Sequence, residues 1–312
     1  MKSNSLIYIG IVSSVLGLLL FGLAFWQEGF NMNNFKTRNT YENKTYKTSE
    51  SINSISITDS NVKINVTTTA STELSIEYME TQDKNYNITL SEDGKLRVVK
   101  NPDTTKWYHH IINLDFSSPL MTIHIPKSFT RIQNIDIATS NSTITADSIT
   151  ADDINLTTSN AKIDVAGATS KNDFVAKTSN SEVKISNCTA DSITATSSNG
   201  GLSLTNSAAN TCNMKTTNSR IILTTSSISN SLYATTANAK IELDMMSSPN
   251  ETSLITSNGE VSGTMIGNSS DFSYDCTTTN ATSNLPSNMT IGEKSLKIKT
   301  SNAKINLEFI AK

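Results

Sequence analysis

The chain of 312 residues is poor in charged residues, cysteine, proline, glycine and aromatic residues. Charged residues make up 17% of it and aromatic residues 6%, and five prolines and twelve glycines exclude a collagen-like or Pro/Gly-rich chain. The formal net charge of −3 lacks the basic excess of most nucleic-acid-binding proteins, so we expect no nucleic-acid partner. Roughly two-fifths of the residues are Ser, Thr, Asn and Gln. Such a chain is either disordered or a β-rich repeat protein.

Patterns that carry catalysis or metal binding are also missing. The sequence has no GxSxG, HExxH, CxxC or P-loop motif. The aspartates in the turns of its C-terminal half are scattered, with Asp152-Asp153 the one tight pair among them. The three histidines have no Cys or acidic partner at ligand spacing: His109, His110 and His124. The three cysteines are too widely spaced for a disulfide framework or a zinc site, and we expect structural thiols: Cys188, Cys212 and Cys276. We therefore expect no enzyme, no cofactor and no metal site.

An uncharged apolar run, residues 6–26, follows residues 1–5, which are predicted to be a short cytoplasmic tip. As a helix it is about 31 Å long, enough to cross a bilayer core of roughly 30 Å. The run exceeds the apolar stretch of most signal peptides and ends in Trp26, which favours an uncleaved anchor. Cleavage after Gly22 and Ala24 stays open. Either way the rest of the chain is expected outside the cytoplasm, beginning with a flexible spacer at residues 27–50.

A three-residue phrase of the Thr-Ser-Asn type recurs nine times in residues 131–312. Its steps are 19 to 22 residues, and Ser, Ala or Gly always follows the Asn. A period near 20 indicates a solenoid. The asparagines are Asn141, Asn160, Asn180, Asn199, Asn218, Asn238, Asn258, Asn280 and Asn302.

Two alternating strands flank each Asn. Residues four and six before it, and three and five after it, are apolar in all but three of 36 cases, namely Thr252, Gly263 and Ser283. Such strands bury their inner face only by stacking on further copies. We therefore predict an all-β protein: a single-stack β-solenoid with rungs of about 20 residues, plus one N-terminal transmembrane helix. Two or three sides per rung, and the handedness, stay open.

The repeated Asn has two structural roles in this prediction. It tolerates the left-handed backbone region in a tight turn, and its amide can bond to the Asn above and below. A row of ligand-binding amides is the alternative. On the outward face, opposite charges are expected side by side in neighbouring rungs: Lys162 with Glu182, Asp164 with Lys184, and Lys240 with Glu260.

Residues 51–130 are β-rich but irregular, and we predict that they form an N-terminal cap and the first rungs. Asn61 fits the register of a first rung, and Asp93-Gly94 marks a hairpin turn. At the other end, Phe309 and Ile310 are expected to fold over the last rung. The cap strands are predicted near Glu73–Glu80, Tyr86–Leu90, Lys95–Lys100, Ile111–Phe116 and Leu120–Ile125.

The repeat, written TSN-[AGS]-x-[IVL]-x-[VIL] and preceded by a strand such as Met121–Pro126, resembles the bacterial putative-adhesin domain. The resemblance covers about residues 51–309 and implies an envelope β-solenoid, often in a membrane-anchored protein. Some relatives are linked to envelope-stress regulation, and none supplies catalytic residues to carry over.

Three functions fit this sequence. The first is a cell-surface binding or scaffolding module that contacts the membrane through residues 6–26 and binds a surface glycan, wall polymer or envelope protein. The second is a regulatory partner of a membrane signalling protein. The third is ice or crystal binding by the Thr column two residues before each Asn, although Ser197 interrupts that column.

Overall fold

A computed structural model describes residues 2–27, 29–30, 41–81, 84–102 and 119–311. The chain divides into two compact units. One contains helix α1 (Lys2–Gln27), and the other consists of Asn43–Met79, Tyr86–Lys100 and Ser118–Lys312.

Helix α1 is the apolar segment expected from the sequence. Its Tyr8–Gln27 portion is long and apolar enough to cross a membrane, a test that a signal sequence also passes. Its side chains from Tyr8 onward are mostly exposed, with Leu18 at 72% and Trp26 at 64%. An exposed apolar surface of this extent is stable in lipid and unfavourable in water.

The second unit is built from two sheets, and its strands are numbered in chain order. Sheet A has twelve strands. From one edge of the sheet to the other they are β1 (Glu42–Thr48), β4 (Leu74–Glu80), β7 (Leu120–Pro126), β3 (Lys63–Thr69), β9 (Ile144–Asp147), β12 (Ile163–Ala166), β15 (Val183–Ser186), β17 (Leu202–Thr205), β19 (Ile221–Thr224), β21 (Ile241–Met246), β23 (Val261–Ile266) and β27 (Ile305–Ile310).

Sheet B has fifteen strands. Thirteen follow one path across the sheet, starting at the edge near the chain's C-terminus. They are β25 (Asn288–Met289), β24 (Phe272–Thr277), β26 (Lys294–Lys299), β22 (Glu251–Ile255), β20 (Ser227–Thr235), β18 (Ala208–Lys215), β16 (Thr189–Thr196), β14 (Asp173–Lys177), β11 (Asp153–Thr157), β8 (Asn134–Ala138), β2 (Ser54–Thr58), β6 (Lys95–Lys100) and β5 (Tyr86–Leu90).

From β8 to β23 the chain passes back and forth between the two sheets, and each strand up to β21 pairs in parallel with its equivalent one repeat later. Ile154 aligns with Phe174, and Ile163 aligns with Val183, so the apolar columns predicted from the repeat stack in register. Their side chains are fully buried in one core. Long parallel sheets of this kind are those of a β-solenoid, and the all-β prediction with one N-terminal helix is confirmed.

A short third segment closes the rungs. Strands β10 (Thr150–Ala151) and β13 (Thr169–Ser170) pair with each other, and β13 pairs with the start of β16. Just before this segment a column of small or apolar side chains is buried: Ile149, Ala168, Cys188, Ser207, Ser226 and Met246. In the rungs between Thr150 and Ile228 the structure thus answers the question that the sequence left open, since these rungs have two long sides and a short one.

At the N-terminal end the chain order of the strands is broken. In sheet A, β7 lies between β3 and β4, while in sheet B, β6 lies between β2 and β5. Strand β4 is antiparallel to β7, and β5 is antiparallel to β6, as the Asp93-Gly94 hairpin predicts for β5. Gly94 has φ +77°. Four of the five predicted cap strands are confirmed, and the fifth, near Ile111–Phe116, lies outside the described residues.

The segment predicted as a flexible spacer needs a correction. Residues 42–48 form strand β1, which pairs with β4 at the edge of sheet A. The segment alternates in burial toward its end, where Tyr46 packs against the core. A run rich in Asn, Lys and Thr can join a sheet edge because backbone pairing there requires few apolar side chains.

The C-terminal end is also out of chain order. Strand β26 lies between β22 and β24, so the rung of Asn302 stacks directly on that of Asn258, and the rung of Asn280 is outermost. Phe309 and Ile310 do not fold over the stack. They extend β27 alongside β23, and the ring of Phe309 lies 5.1 Å from that of Phe272 in the outer rung. The large aromatic side chains of β24 cover the end of the core.

Candidate binding surface

The repeated asparagines form one continuous line of side-chain hydrogen bonds on an exposed edge. Each Nδ2 donates to the Oδ1 of the Asn in the neighbouring rung at 2.6–2.9 Å, and every member is exposed. Asn61 begins the line, so its predicted place in a first rung is confirmed by its bond to Asn141. The order follows the strands, and it therefore runs Asn61, Asn141, Asn160, Asn180, Asn199, Asn218, Asn238, Asn258, Asn302 and Asn280. We call this line the Asn ladder.

The turn geometry expected for these asparagines is wrong. None of the ladder members has a positive φ. The left-handed residues lie instead at the opposite corner of the rungs, immediately before the buried third-side column: Ser148, Gly167, Asn187, Asn206, Thr225 and Met245. The ladder turn is held by bonds from backbone amides to the carbonyls of the preceding rung, such as Asn218 N to Ser198 O at 3.0 Å, and so it needs no left-handed residue.

The Thr column two residues before each ladder Asn points inward. These hydroxyls are buried in eight of the rungs, with Ser197 in place of Thr in one of them. All of the eight except Thr139 donate to the carbonyl of the residue after the Asn in the preceding rung, as Thr216 Oγ1 does to Gly200 O at 3.0 Å. An ice-binding array must be exposed, so the structure contradicts the ice-binding hypothesis for this column.

In the first rung Asp59 takes the place of the column's Thr. Its Oδ1 accepts the backbone N–H groups of Asn61 and Val62 at 2.6 and 2.7 Å, and its Oδ2 accepts the Tyr86 hydroxyl at 2.9 Å. The carboxylate is buried and so needs these donors, because an unpaired buried charge is strongly unfavourable. Asp59 thereby ties the first turn to the hairpin strand β5.

The charges on the outer face of sheet A are largely as predicted. Lys162 contacts Glu182 at 3.6 Å and Lys240 contacts Glu260 at 3.8 Å. Asp164 aligns with Lys184, but its carboxylate contacts Lys162 instead, at 2.9 Å. The hydrogen bond that Lys162 donates to Asp164 raises the pKa of Lys162, and partial desolvation opposes this rise without cancelling it. These exposed pairs each contribute a few tenths of a kcal/mol and hold the register of the rungs.

The cysteines are buried free thiols, in agreement with the structural role expected from their columns. Burial raises the pKa of Cys212 and of Cys276 to about 12, and it also raises the pKa of Cys188. A thiol with so high a pKa is protonated at neutral pH and is a poor nucleophile.

The histidines do not assemble a metal site in the part of the chain that the structure describes. His124 Nε2 lies 3.9 Å from a carboxylate oxygen of Glu77, and no third ligand-type side chain joins them there. His109 and His110 lie outside the described residues.

A polar cleft of about 610 Å³ opens at the C-terminal end of the solenoid. Lys294 on its wall donates to the carbonyl of Ser248 at 3.0 Å, and its ammonium lies 5.9 Å from the centre of the Phe272 ring. The one cation on its wall is therefore already engaged within the protein. The residues that line the cleft are Asn250, Ser270, Asp271, Gly292, Glu293 and Lys294.

Sequence reasoning missed two basic residues beside the Asn ladder, Lys215 and Arg220. Both are exposed, and they flank Asn218 on its two sides. A scan for acidic residues would have drawn attention to them, because no Asp or Glu occurs between residues 192 and 241.

A family model described as Toastrack DUF4097 matches residues 52–307. None of the curated proteins matches the chain. A solved putative adhesin from Bacteroides fragilis NCTC 9343 is 11% identical, with 86% of this chain and 97% of that one covered and a TM-score of 0.45. A putative adhesin from Parabacteroides merdae ATCC 43184 is 11% identical, with 87% of this chain and 97% of that one covered and a TM-score of 0.32. A putative cell adhesion protein from Clostridium sporogenes ATCC 15579 is 10% identical, with 87% of this chain and 99% of that one covered and a TM-score of 0.28.

Proposed function

This chain belongs to the Toastrack DUF4097 family, and from that premise we propose that it is a non-enzymatic binding module held at a membrane by its N-terminal helix. The family match confirms the resemblance inferred from the Thr-Ser-Asn repeat. The proposed module acts outside the cytoplasm, at the cell surface, and binds a surface glycan, a wall polymer or an envelope protein.

The Asn ladder is the observation that carries this proposal. A ladder amide donates one N–H to its neighbour, so the second N–H, and one lone pair of the oxygen, stay available for a ligand. The rungs repeat these groups at about 4.8 Å on rigid strands. Many weak, regularly spaced contacts suit an extended ligand, because linked sites multiply affinity without any single strong contact.

The absence of catalysis is part of the same proposal. The buried thiols are protonated at neutral pH, and the described carboxylates and histidines form no cluster of three. The rungs in this proposal form a single stack of coils with about 20 residues each, as the steps of the repeat indicate. Such a stack presents surfaces and edges to a ligand.

Photo-crosslinking in intact cells tests the proposal. A photoreactive amino acid replaces Ser198, which is exposed beside the ladder, in the full chain. The matched control places it at Asp191, which is exposed in the same rung at its opposite edge. We expect Ser198 to capture wall polymer, glycan or envelope protein, and Asp191 to capture much less.

Equal capture at both positions would contradict a binding role for the ladder edge. Capture of a membrane signalling protein at Ser198 would instead support the alternative function, a regulatory partner in envelope sensing. The helix that anchors the chain in this proposal would then also bring the solenoid next to that partner.

A further inference from the structure

Fifty residues in the middle of the solenoid contain no acidic side chain. Between residues 192 and 241 there is no Asp or Glu, while Lys215, Arg220 and Lys240 all occur there. The chain as a whole has a net charge of −3, so this band is locally cationic in a protein that is not. It spans the rungs of Asn199 and Asn218 and most of the rung of Asn238.

Two of these cations stand on either side of the Asn ladder. Lys215 is the last residue of β18, where it aligns with Thr196 and Thr235 of the neighbouring strands. Arg220 lies two residues after Asn218 and is exposed. Gly201 lies beside it in the neighbouring rung, and a Cβ built on Gly201 would be 4.0 Å from Arg220 Cγ. Because that position has no side chain, one flank of Arg220 is open.

In the described part of the chain the same two cations have no acidic partner, in contrast to Lys162 and Lys240. Lys240 contacts Glu242 at 3.6 Å and Glu260 at 3.8 Å. Across the described ranges, neither Lys215 nor Arg220 takes part in an ion pair. The same holds in those ranges for Lys177, which is exposed two rungs away in the column of Lys215. Their charge is therefore not neutralised within the solenoid.

We propose that Lys177, Asn199, Lys215, Asn218 and Arg220 form a cationic surface that binds a linear acidic polymer. Its ligand is a linear polymer of hydroxyl-bearing units that carries phosphate or carboxylate groups at regular intervals. This inference rests on the proposed binding function and names the class of its ligand. The two lysines are about 9.6 Å apart along the stack, and the ladder amides beside them supply neutral donors for the hydroxyl groups of the polymer.

Binding of defined polymers to the full chain in detergent tests the inference. The probes are poly(glycerol phosphate), polygalacturonate and neutral dextran, each measured at several salt concentrations. We expect both acidic polymers, or one of them, to bind and dextran not to bind. Affinity for the acidic polymer should fall as salt rises, because its bound counterions are released on contact with the lysines and the arginine.

The double variant Lys215→Gln, Arg220→Gln should weaken acidic-polymer binding about tenfold or more and flatten its salt dependence. The matched control is Lys63→Gln, Lys127→Gln, which removes two exposed cations at the N-terminal end of the same solenoid, where Lys63 lies five ladder steps from Asn218. The control should bind like the unmodified chain. Melting curves establish that both variants fold, since all four side chains are exposed.

Three results would overturn the inference: tight binding of dextran, equal losses in the two double variants, or tighter binding of single-stranded DNA than of either polymer. Binding of poly(glycerol phosphate) alone identifies phosphate as the recognised group, and binding of polygalacturonate alone identifies carboxylate. If the Lys215/Arg220 variant still binds cell-envelope fractions as the unmodified chain does, the acidic-polymer inference fails while the proposed function stands. If the unmodified chain binds no envelope fraction, the proposed function fails as well.

Discussion

Two turns of the regular rungs differ in sequence: the turn at the Asn ladder and the turn at the opposite corner, before the column of Ile149 and its equivalents. The ladder edge has the same residue in every rung, and each amide bonds to the next. The opposite corner has six positions with positive φ, filled by Ser, Gly, Asn, Asn, Thr and Met. A side chain is repeated where it bonds to its own copy in the next rung. Where only the backbone conformation matters, several residue types are accepted.

The core between the two edges should be the part whose substitution lowers the free energy of unfolding most. Ile241→Asp places a charge at a fully buried position of β21, and we expect the solenoid to unfold or lose several kcal/mol of its free energy of unfolding. Ile222→Asp on the outward side of β19 is the matched control. Circular dichroism and thermal melting measure both. If Ile241→Asp melted like the unmodified chain, the assigned rung register would be wrong.

The buried hydroxyl column should come next. Thr216→Val removes the donor to Gly200 O and leaves that carbonyl without it, which should lower the free energy of unfolding by about 1–3 kcal/mol. Thr216→Ser keeps the hydroxyl, as Ser197 does naturally in the neighbouring rung, and should lose less. Denaturant titration measures the difference. Equal losses would show that the methyl group lost in Thr216→Ser contributes as much as the hydrogen bond lost in Thr216→Val.

The ladder itself should contribute a smaller amount. Asn218→Ala removes bonds to both Asn199 and Asn238, for an expected loss of about 1–2 kcal/mol. Asn280→Ala, at the outer end of the ladder, removes one bond, to Asn302, and should lose about half as much. Chemical denaturation of the two variants gives the ratio. A larger loss at the end than in the middle would contradict a ladder of equivalent bonds.

The smallest effect, and one of opposite sign, is expected at the corner. Thr225 has φ +46°, a region unfavourable for a β-branched residue. Thr225→Gly should therefore raise the free energy of unfolding by about 0.5–1 kcal/mol. The greater backbone entropy of Gly in the unfolded chain offsets part of this gain. Thr224→Gly, next to it in strand β19, should lower it. Destabilisation by Thr225→Gly comparable to that of Thr224→Gly would mean that the Thr225 side chain matters at this corner.

The comparison also explains what sequence reasoning found and missed. Asn is repeated, so the ladder was predicted, but a repeat does not tell which backbone conformation it serves, and the left-handed turn was assigned to the wrong corner. The residues at the opposite corner are of different types, so no sequence pattern identifies them. One exception to the apolar columns has a local cause in the structure. Gly263 has φ +128°, and a Cβ there would lie 1.7 Å from the carbonyl oxygen of Leu243.

The binding surface was found only in part. Residue identity located the ladder amides and the ion pairs of Lys162 and Lys240, because opposite charges one repeat apart are visible in the alignment of the rungs. The unpaired cations Lys215 and Arg220 were not visible in the same way. Their significance depends on which side chains in adjacent rungs fail to neutralise them.

By itself, the sequence determined which side chains of each strand face the core, because they recur with a period of two. It also determined the position of the ladder, from the period of about twenty, and the apolar helix, from an unbroken apolar run. Only the tertiary structure decided which rung lies next to which at the two ends. Strands β24 and β26 have the same alternation of apolar and polar residues, and the backbone of either strand could pair with β22. The outer place went to β24, whose Phe272 and Tyr274 pack with Phe309 and close the core, while Leu296 and Ile298 of β26 fill the layer beneath.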